Sequence, residues 1–289
     1  MSTQTPVKHE IDVTDTEYFR HGDKPLLARV YKPRTGGPYP LIIDIHGGVW
    51  CNLDRTRDIA IDEPLAKSGL VVASLDFRMP PEAGYPASLA DINCAIRWFK
   101  SNAAKFNISP DRVGILGCSS GGHQAMLTAM RPHDARYAAL RFAGDEGVDA
   151  SLRCAVLCWP VIDPLGRYHY VLKLKATGKS QYADHALPLH HQYWPGEEAM
   201  AEASPLLALE RGEAVSKPPV LYLQGTADGA HPRPLLDRFV VAYRAAGASV
   251  DLQIFEGVTE AFINSDPQAP ASVDAMSKII AFVHPEMGS

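Results

Sequence analysis

Val113-Gly114-Ile115-Leu116-Gly117-Cys118-Ser119-Ser120-Gly121-Gly122, running on into Gln124-Ala125-Met126-Leu127, is the stretch that decides the fold. The apolar run reads as a buried strand and the residues beyond the glycines are good helix formers, so a strand feeds a helix through a tight turn. In a Gly-x-Ser-x-Gly turn only glycine or a very small residue fits at the flanking positions, which phases the presented residue as Ser119, not Ser120. The Cys118 side chain should then point away from whatever Ser119 faces.

Upstream, Leu41-Ile42-Ile43-Asp44-Ile45 is a second buried-strand run, and it ends in His46-Gly47-Gly48-Val49-Trp50. Two glycines there let backbone N–H groups turn toward a developing negative oxygen. With the N–H of Ser120 they would form an oxyanion hole, worth about 3–4 kcal/mol per donor where it has been measured. The alternative is a glycine turn that merely ends a strand.

Further apolar, β-branched runs alternate with helical segments, which argues for an α/β chain with a mostly parallel sheet covered on both faces. Strands are expected near Leu27–Tyr31, Leu41–Ile45, Val71–Leu75, Val113–Leu116, Cys154–Trp159, Val220–Leu223 and Val250–Phe255. Helices are expected over Ala87–Phe106, where Leu89, Ile92, Ile96 and Phe99 make one face, and over Pro232–Ala246. The chain is expected to be a single domain, 1–289. Residues 164–217 carry no strand signal but many aromatics and histidines, and read as an inserted lid over the strand ends, where ligands bind in open α/β sheets. Trp50, Tyr193 and Trp194 are the aromatic candidates for substrate contact.

His46-Gly47-Gly48, Phe77-Arg78-Met79-Pro80-Pro81-Glu82, Tyr85-Pro86-Ala87 with Asp91, Pro110-Asp111-Arg112-Val113 before the elbow, Gly225-Thr226-Ala227-Asp228 and Phe255-Glu256-Gly257 occur in one order along the chain. Together they resemble the hormone-sensitive-lipase-like branch of the α/β-hydrolases, over about residues 41–262. The resemblance implies an α/β-hydrolase fold, Ser119 as nucleophile, Gly47, Gly48 and Ser120 as oxyanion donors, and Asp228 as the acid of a catalytic triad. Two positions depart from the family pattern. Cys118 stands where an acidic residue is common, and Glu260, in Gly257-Val258-Thr259-Glu260-Ala261-Phe262, stands where the family carries its histidine. A short His-Gly-Gly-x-Trp stretch is also shared with arylformamidases.

A serine hydroxyl needs a base within hydrogen-bond reach, and that base must later protonate the leaving group. The expectation taken from this pattern is a Ser119–Glu260–Asp228 arrangement in which the two carboxyls share a proton, so that the glutamate becomes a usable base. His231, just after Asp228, is the alternative base, with His123, His190 and His191 as more remote substitutes. The function expected is hydrolysis of a small or medium carboxylic ester, lactones included. The alternatives are an arylformamidase-like amide hydrolase, a ligand-binding protein without turnover such as the gibberellin receptors that resemble this family, and a non-hydrolytic use of the fold.

At 289 residues with 46% hydrophobic content the chain can bury one large core. A net charge of −5 gives no electrostatic footprint for nucleic acid or an anionic membrane surface, so neither partner is expected. The opening Met1-Ser2-Thr3-Gln4-Thr5-Pro6 has no basic region followed by an apolar core, and no apolar run approaches a membrane span; a cytoplasmic location is expected. The five cysteines, Cys51, Cys94, Cys118, Cys154 and Cys158, show no zinc-ligand spacing and read as small buried hydrophobes. Neither metal nor cofactor is expected, the partner is a small-molecule ester, and the sequence leaves room for a homodimer.

Overall fold

The structure, a computed structural model, describes residues 8–288; the reading of Met1–Pro6 lies outside them. The described residues form one eight-stranded sheet from β1 (Ile11–His21), β2 (Lys24–Pro33), β3 (Tyr39–Ile45), β4 (Val71–Leu75), β5 (Ile108–Cys118), β6 (Ala155–Cys158), β7 (Val220–Gly225) and β8 (Val250–Phe255). Their spatial order is β1-β2-β4-β3-β5-β6-β7-β8. β2 runs antiparallel to both β1 and β4, and the pairs from β4 through β3 and β5 to β8 are parallel.

The central strands are buried on both faces because parallel crossovers place helices on each side. In β3, Leu41, Ile43 and Ile45 enter one core while Ile42 enters the other. Cys154, Val156 and Cys158 share a face, as a period of two requires. The helix Ala87–Ser101 buries Leu89, Ile92, Ile96 and Phe99 as expected, but stops at Asn102 and resumes as Ala103–Phe106. Pro232–Ala246 is realised as Arg233–Ala245.

β1 was not foreseen. Most of its residues are exposed and only Tyr18 is buried, so it carries little apolar signal and owes its shape to pairing along β2. Residues 164–217 hold no strand; they fold into the helices Pro164–Ala176, Gln181–Tyr193, Glu197–Glu202 and Pro205–Glu210. No described helix is long and apolar enough to cross a membrane. The loops after β3, β5, β7 and β8 converge at the carboxyl ends of the parallel strands, and these loops carry the site.

Candidate active site

Ser119 sits between β5 and the helix Ser120–Met130 with φ 53° and ψ −117°, a conformation that costs energy in any L-residue and is held by its surroundings. Its N–H donates to the Cys158 carbonyl at 2.9 Å, and its own carbonyl accepts from Val161 at 2.9 Å. Gly121 is obligatory, because a Cβ there would lie 2.0 Å from the Ile45 carbonyl oxygen and 2.4 Å from that of His46. That close approach presses the oxyanion loop onto the elbow. The Trp50 N–H fastens it further by donating to Ser120 Oγ at 3.0 Å. Among the described residues no acceptor takes the Gly47 or Gly48 N–H, and Ser120 opens its helix with no carbonyl four residues back, so all three amides are free to bind an anion.

The base position is built from the loop after β7. Asp228 Oδ1 accepts the backbone N–H of Ala230 at 2.8 Å and of His231 at 3.0 Å, a turn in which the aspartate organises its own backbone. That turn brings the His231 ring back over the carboxylate, and Nδ1 donates to Asp228 Oδ2 at 2.9 Å. A carboxylate only accepts, so the proton resides on Nδ1 and Nε2 is left to accept from Ser119 Oγ at 3.1 Å. Gln224 Nε2 ties the arrangement from behind, donating to Asp228 Oδ2 at 3.1 Å and to the His231 carbonyl at 3.0 Å. Burial pushes the Asp228 carboxyl up, but the His231 charge and hydrogen bond, with the two backbone donors, outweigh it and hold Asp228 below the usual carboxylate range.

Glu260 does not occupy the place expected of it. Its carboxylate reaches His231 Nδ1 at 3.8 Å, is 40% exposed, and stands beside the imidazole, which is the group that touches Ser119. Where a Ser119–Glu260–Asp228 chain was expected, the hydrogen-bonded chain in this structure runs Ser119–His231–Asp228, with Glu260 as a second carboxylate flanking the ring. The physical reason is the Asp228 turn, which delivers a histidine from three residues away and leaves no gap for the glutamate to fill. Donor atoms of Asp228, His231 and Glu260 lie within 4.8 Å of one another, a spacing a metal could use. Both ring nitrogens are already engaged, however, which leaves no lone pair for an ion.

The remaining histidines stand elsewhere. His123 accepts from the Trp50 indole at 3.1 Å and donates to the Ala203 carbonyl at 2.9 Å, and burial pushes its pKa down to about 4. His190 is bonded to the Ala186 carbonyl and held near 3 by burial, with the Arg167 charge adding to the effect. His191 pairs with the Tyr168 hydroxyl.

The cavity in front of Ser119 has a volume of about 210 Å³ and is lined by Gly47, Gly48, Val49, Leu53, Trp159 and Ala261 together with the polar Arg57, Asp58, Arg167, Tyr182, His185, Glu260 and Asn264. It lies below the usual ~300–1,000 Å³ of ligand pockets, so a small group fits. Trp50, Tyr193 and Trp194 do not line it. Trp50 stacks on Tyr193 at 5.4 Å and meets Trp194 edge-on at 5.3 Å, and all three are buried behind the oxyanion loop. Substrate contact was expected of them; in this structure they pack the helix Gln181–Tyr193 against the loop that carries Gly47 and Gly48. Of the lining residues, Tyr182 and His185 belong to the aromatics and histidines of the expected lid, while Arg167, which the same helical region presents to the cavity, was not foreseen. A single arginine on a helix reads as solvated, so no pattern pointed to it.

Comparison with known proteins bears on the family and the fold. The BD-FAE family model matches residues 29–233. The chain is 28% identical to Esterase LipC of Mycobacterium tuberculosis over 216 residues, which is 73% of this chain and 50% of LipC. It is 29% identical to Carboxylic ester hydrolase LipN of the same organism over 266 residues, 88% of this chain and 65% of LipN. This chain thus spans about half to two-thirds of the length of those curated relatives. Among solved structures, a hyperthermophilic esterase from Pyrobaculum calidifontis superimposes with a TM-score of 0.73 at 26% identity, covering 95% of this chain and 86% of that one. The fold is that of the α/β-hydrolase esterases.

Proposed function

Because this chain belongs to the BD-FAE family, we propose that it is a serine carboxylic-ester hydrolase for small or medium esters, lactones included, with His231 as its base. The observation that carries this reading is the unbroken relay from Ser119 Oγ through the His231 ring to Asp228, with links of 3.1 and 2.9 Å. Esterase and ester-hydrolase names among the relatives support the same class.

In the reaction, His231 Nε2 takes the Ser119 proton as Oγ attacks the ester carbonyl, and the imidazolium is stabilised by Asp228 through Nδ1–H. The carbonyl oxygen, now negative, is held by the N–H groups of Gly47, Gly48 and Ser120. Collapse expels the alcohol, protonated by His231, and leaves an acyl group on Ser119. A water, deprotonated by the same ring, then releases the acid. Glu260 adds a second negative charge beside the imidazolium, screened by its exposure to solvent. The helices of residues 164–217 act as the lid and supply Arg167, Tyr182 and His185 as pocket walls.

Hydrolysis of p-nitrophenyl acetate and butyrate by wild type and Ser119→Ala tests the reading. Turnover in wild type that falls at least about a thousandfold in the variant is expected. Equal, background-level rates in both would favour ligand binding without turnover.

A further inference from the structure

Of the two arginines in the cavity wall, Arg57 is exposed to solvent, whereas Arg167 is buried and forms no ion pair among the described residues. It lies on the helix Pro164–Ala176 and is 1% exposed. Its Nε reaches the Ala230 carbonyl at 3.4 Å, an Nη donates to the Tyr182 hydroxyl, and Nη1 is buried with no hydrogen-bond partner. The guanidinium faces the Trp50 and Tyr182 rings at 5.7 and 5.6 Å. Those rings offset part of the desolvation of the charge but leave its donor fork unfilled. Asp163, one turn earlier, forms no ion pair with it and has a buried, unpartnered Oδ1 of its own.

The acids that share the cavity are otherwise engaged. Glu260 faces His231, and Asp58 accepts from Asn264 Nδ2 at 2.6 Å with the Arg57 charge beside it. A buried charge is ordinarily paired, and losing one partner of a buried pair is strongly unfavourable, so an unpaired guanidinium at a pocket wall implies a missing anion. Arginine's planar fork matches a carboxylate through two parallel hydrogen bonds. Ala230, which Arg167 touches, immediately precedes His231, so the guanidinium stands beside the reacting centre.

Resting on the hydrolase reading above, we propose that the substrate is an ester bearing a free carboxylate, which Arg167 binds while Ser119 attacks the ester carbonyl. The occupant is thus a half-ester of a short dicarboxylic acid or a molecule of the same chemistry.

The test compares the p-nitrophenyl half-ester of glutaric acid with its neutral monoamide counterpart, nearly the same shape without the charge. Wild type should favour the anionic ester by about 10–100-fold in kcat/KM, the worth of a charge-assisted hydrogen-bonded pair. Arg167→Gln should erase most of that ratio and Arg167→Lys should keep part of it. A wild-type ratio at or below one overturns the proposal. So does an unchanged ratio in Arg167→Gln with both rates reduced, since the guanidinium would then only support the Ala230 turn. Calorimetric titration of glutarate, with glutaramide as the neutral control, separates this inference from the hydrolase reading. If neither ester turns over, glutarate binding that is lost in Arg167→Gln sustains the anion site, and no glutarate binding to wild type rejects it. Should the glutamine variant fail to fold, the wild-type ratio and the lysine variant decide.

Discussion

The loop after β7 and the loop after β8 both bring an ionisable side chain to one spot, and they do it differently. In the first, Asp228 and His231 are buried and fixed by donors from Ala230, His231 and Gln224. In the second, Glu260 is 40% exposed and reaches His231 only at 3.8 Å, from a loop whose next residue, Ala261, is held at φ 58°. Proton transfer needs a group whose position is defined before the reaction begins, and only the first loop supplies one. The family position for a histidine thus says where a base commonly stands, while the hydrogen bonds of this chain bring an imidazole to Ser119 from the other loop.

The difference can be broken at its strongest point. Asp228→Asn leaves the shape of the turn but removes the acceptor that fixes the His231 tautomer, and kcat on a neutral ester should fall by ~10³–10⁴. A loss below tenfold would mean that Glu260 takes over as the partner of Nδ1, and the two loops would be equivalent.

A second test uses carboxyls that share burial with Asp228 but have fewer donors. Asp44, Asp58 and Asp62 are buried, and each has at least one carboxylate oxygen with no partner. Burial pushes all three up, Asp58 to about 6, where Asp228 is pushed down. A carboxyl raised on folding contributes stability that is fully present below its unfolded pKa and is lost as pH rises through the folded value. For Asp58 that window runs from the model-peptide value of 3.8 to about 6. Asp58→Asn should therefore be more stable than wild type by ~3 kcal/mol at pH 8, with the gain vanishing below pH 4. Denaturant unfolding at the two pH values reads this; a loss of stability at pH 8 would show that Asp58 is paired and that donors do not explain the contrast with Asp228.

The smallest effect is expected at Gln224, whose amide clamps both Asp228 and the His231 carbonyl. Gln224→Leu should cost about tenfold in kcat, the worth of one or two positioning hydrogen bonds, with KM little changed. An equal change in KM would put Gln224 in substrate binding instead of positioning.

How legible the molecule was in its sequence follows from the kind of signal each part emits. Buried parallel strands announce themselves as apolar runs, and Gly121 is legible because a Cβ has no room there. β1 was silent because an exposed edge strand needs few apolar residues. The expectation of a glutamate base came from the family pattern, which drew attention to residue 260, although Asp228-Gly229-Ala230-His231 holds its own local signal: an aspartate that can accept from the backbone two and three residues on turns the chain back on itself. Tyr193 and Trp194 were read as pocket residues because a long connection rich in aromatics suggests a mobile cover. Their burial comes from contacts with Trp50, more than 140 residues earlier, which no local periodicity encodes.

The most direct measurement is the kcat of His231→Ala and of Glu260→Gln, side by side on the same neutral p-nitrophenyl ester with Ser119→Ala as the floor. The expected result is a fall of about a thousandfold or more for His231→Ala and less than about tenfold for Glu260→Gln. Near wild-type turnover in His231→Ala together with a collapse in Glu260→Gln would contradict it and return the base to the loop after β8.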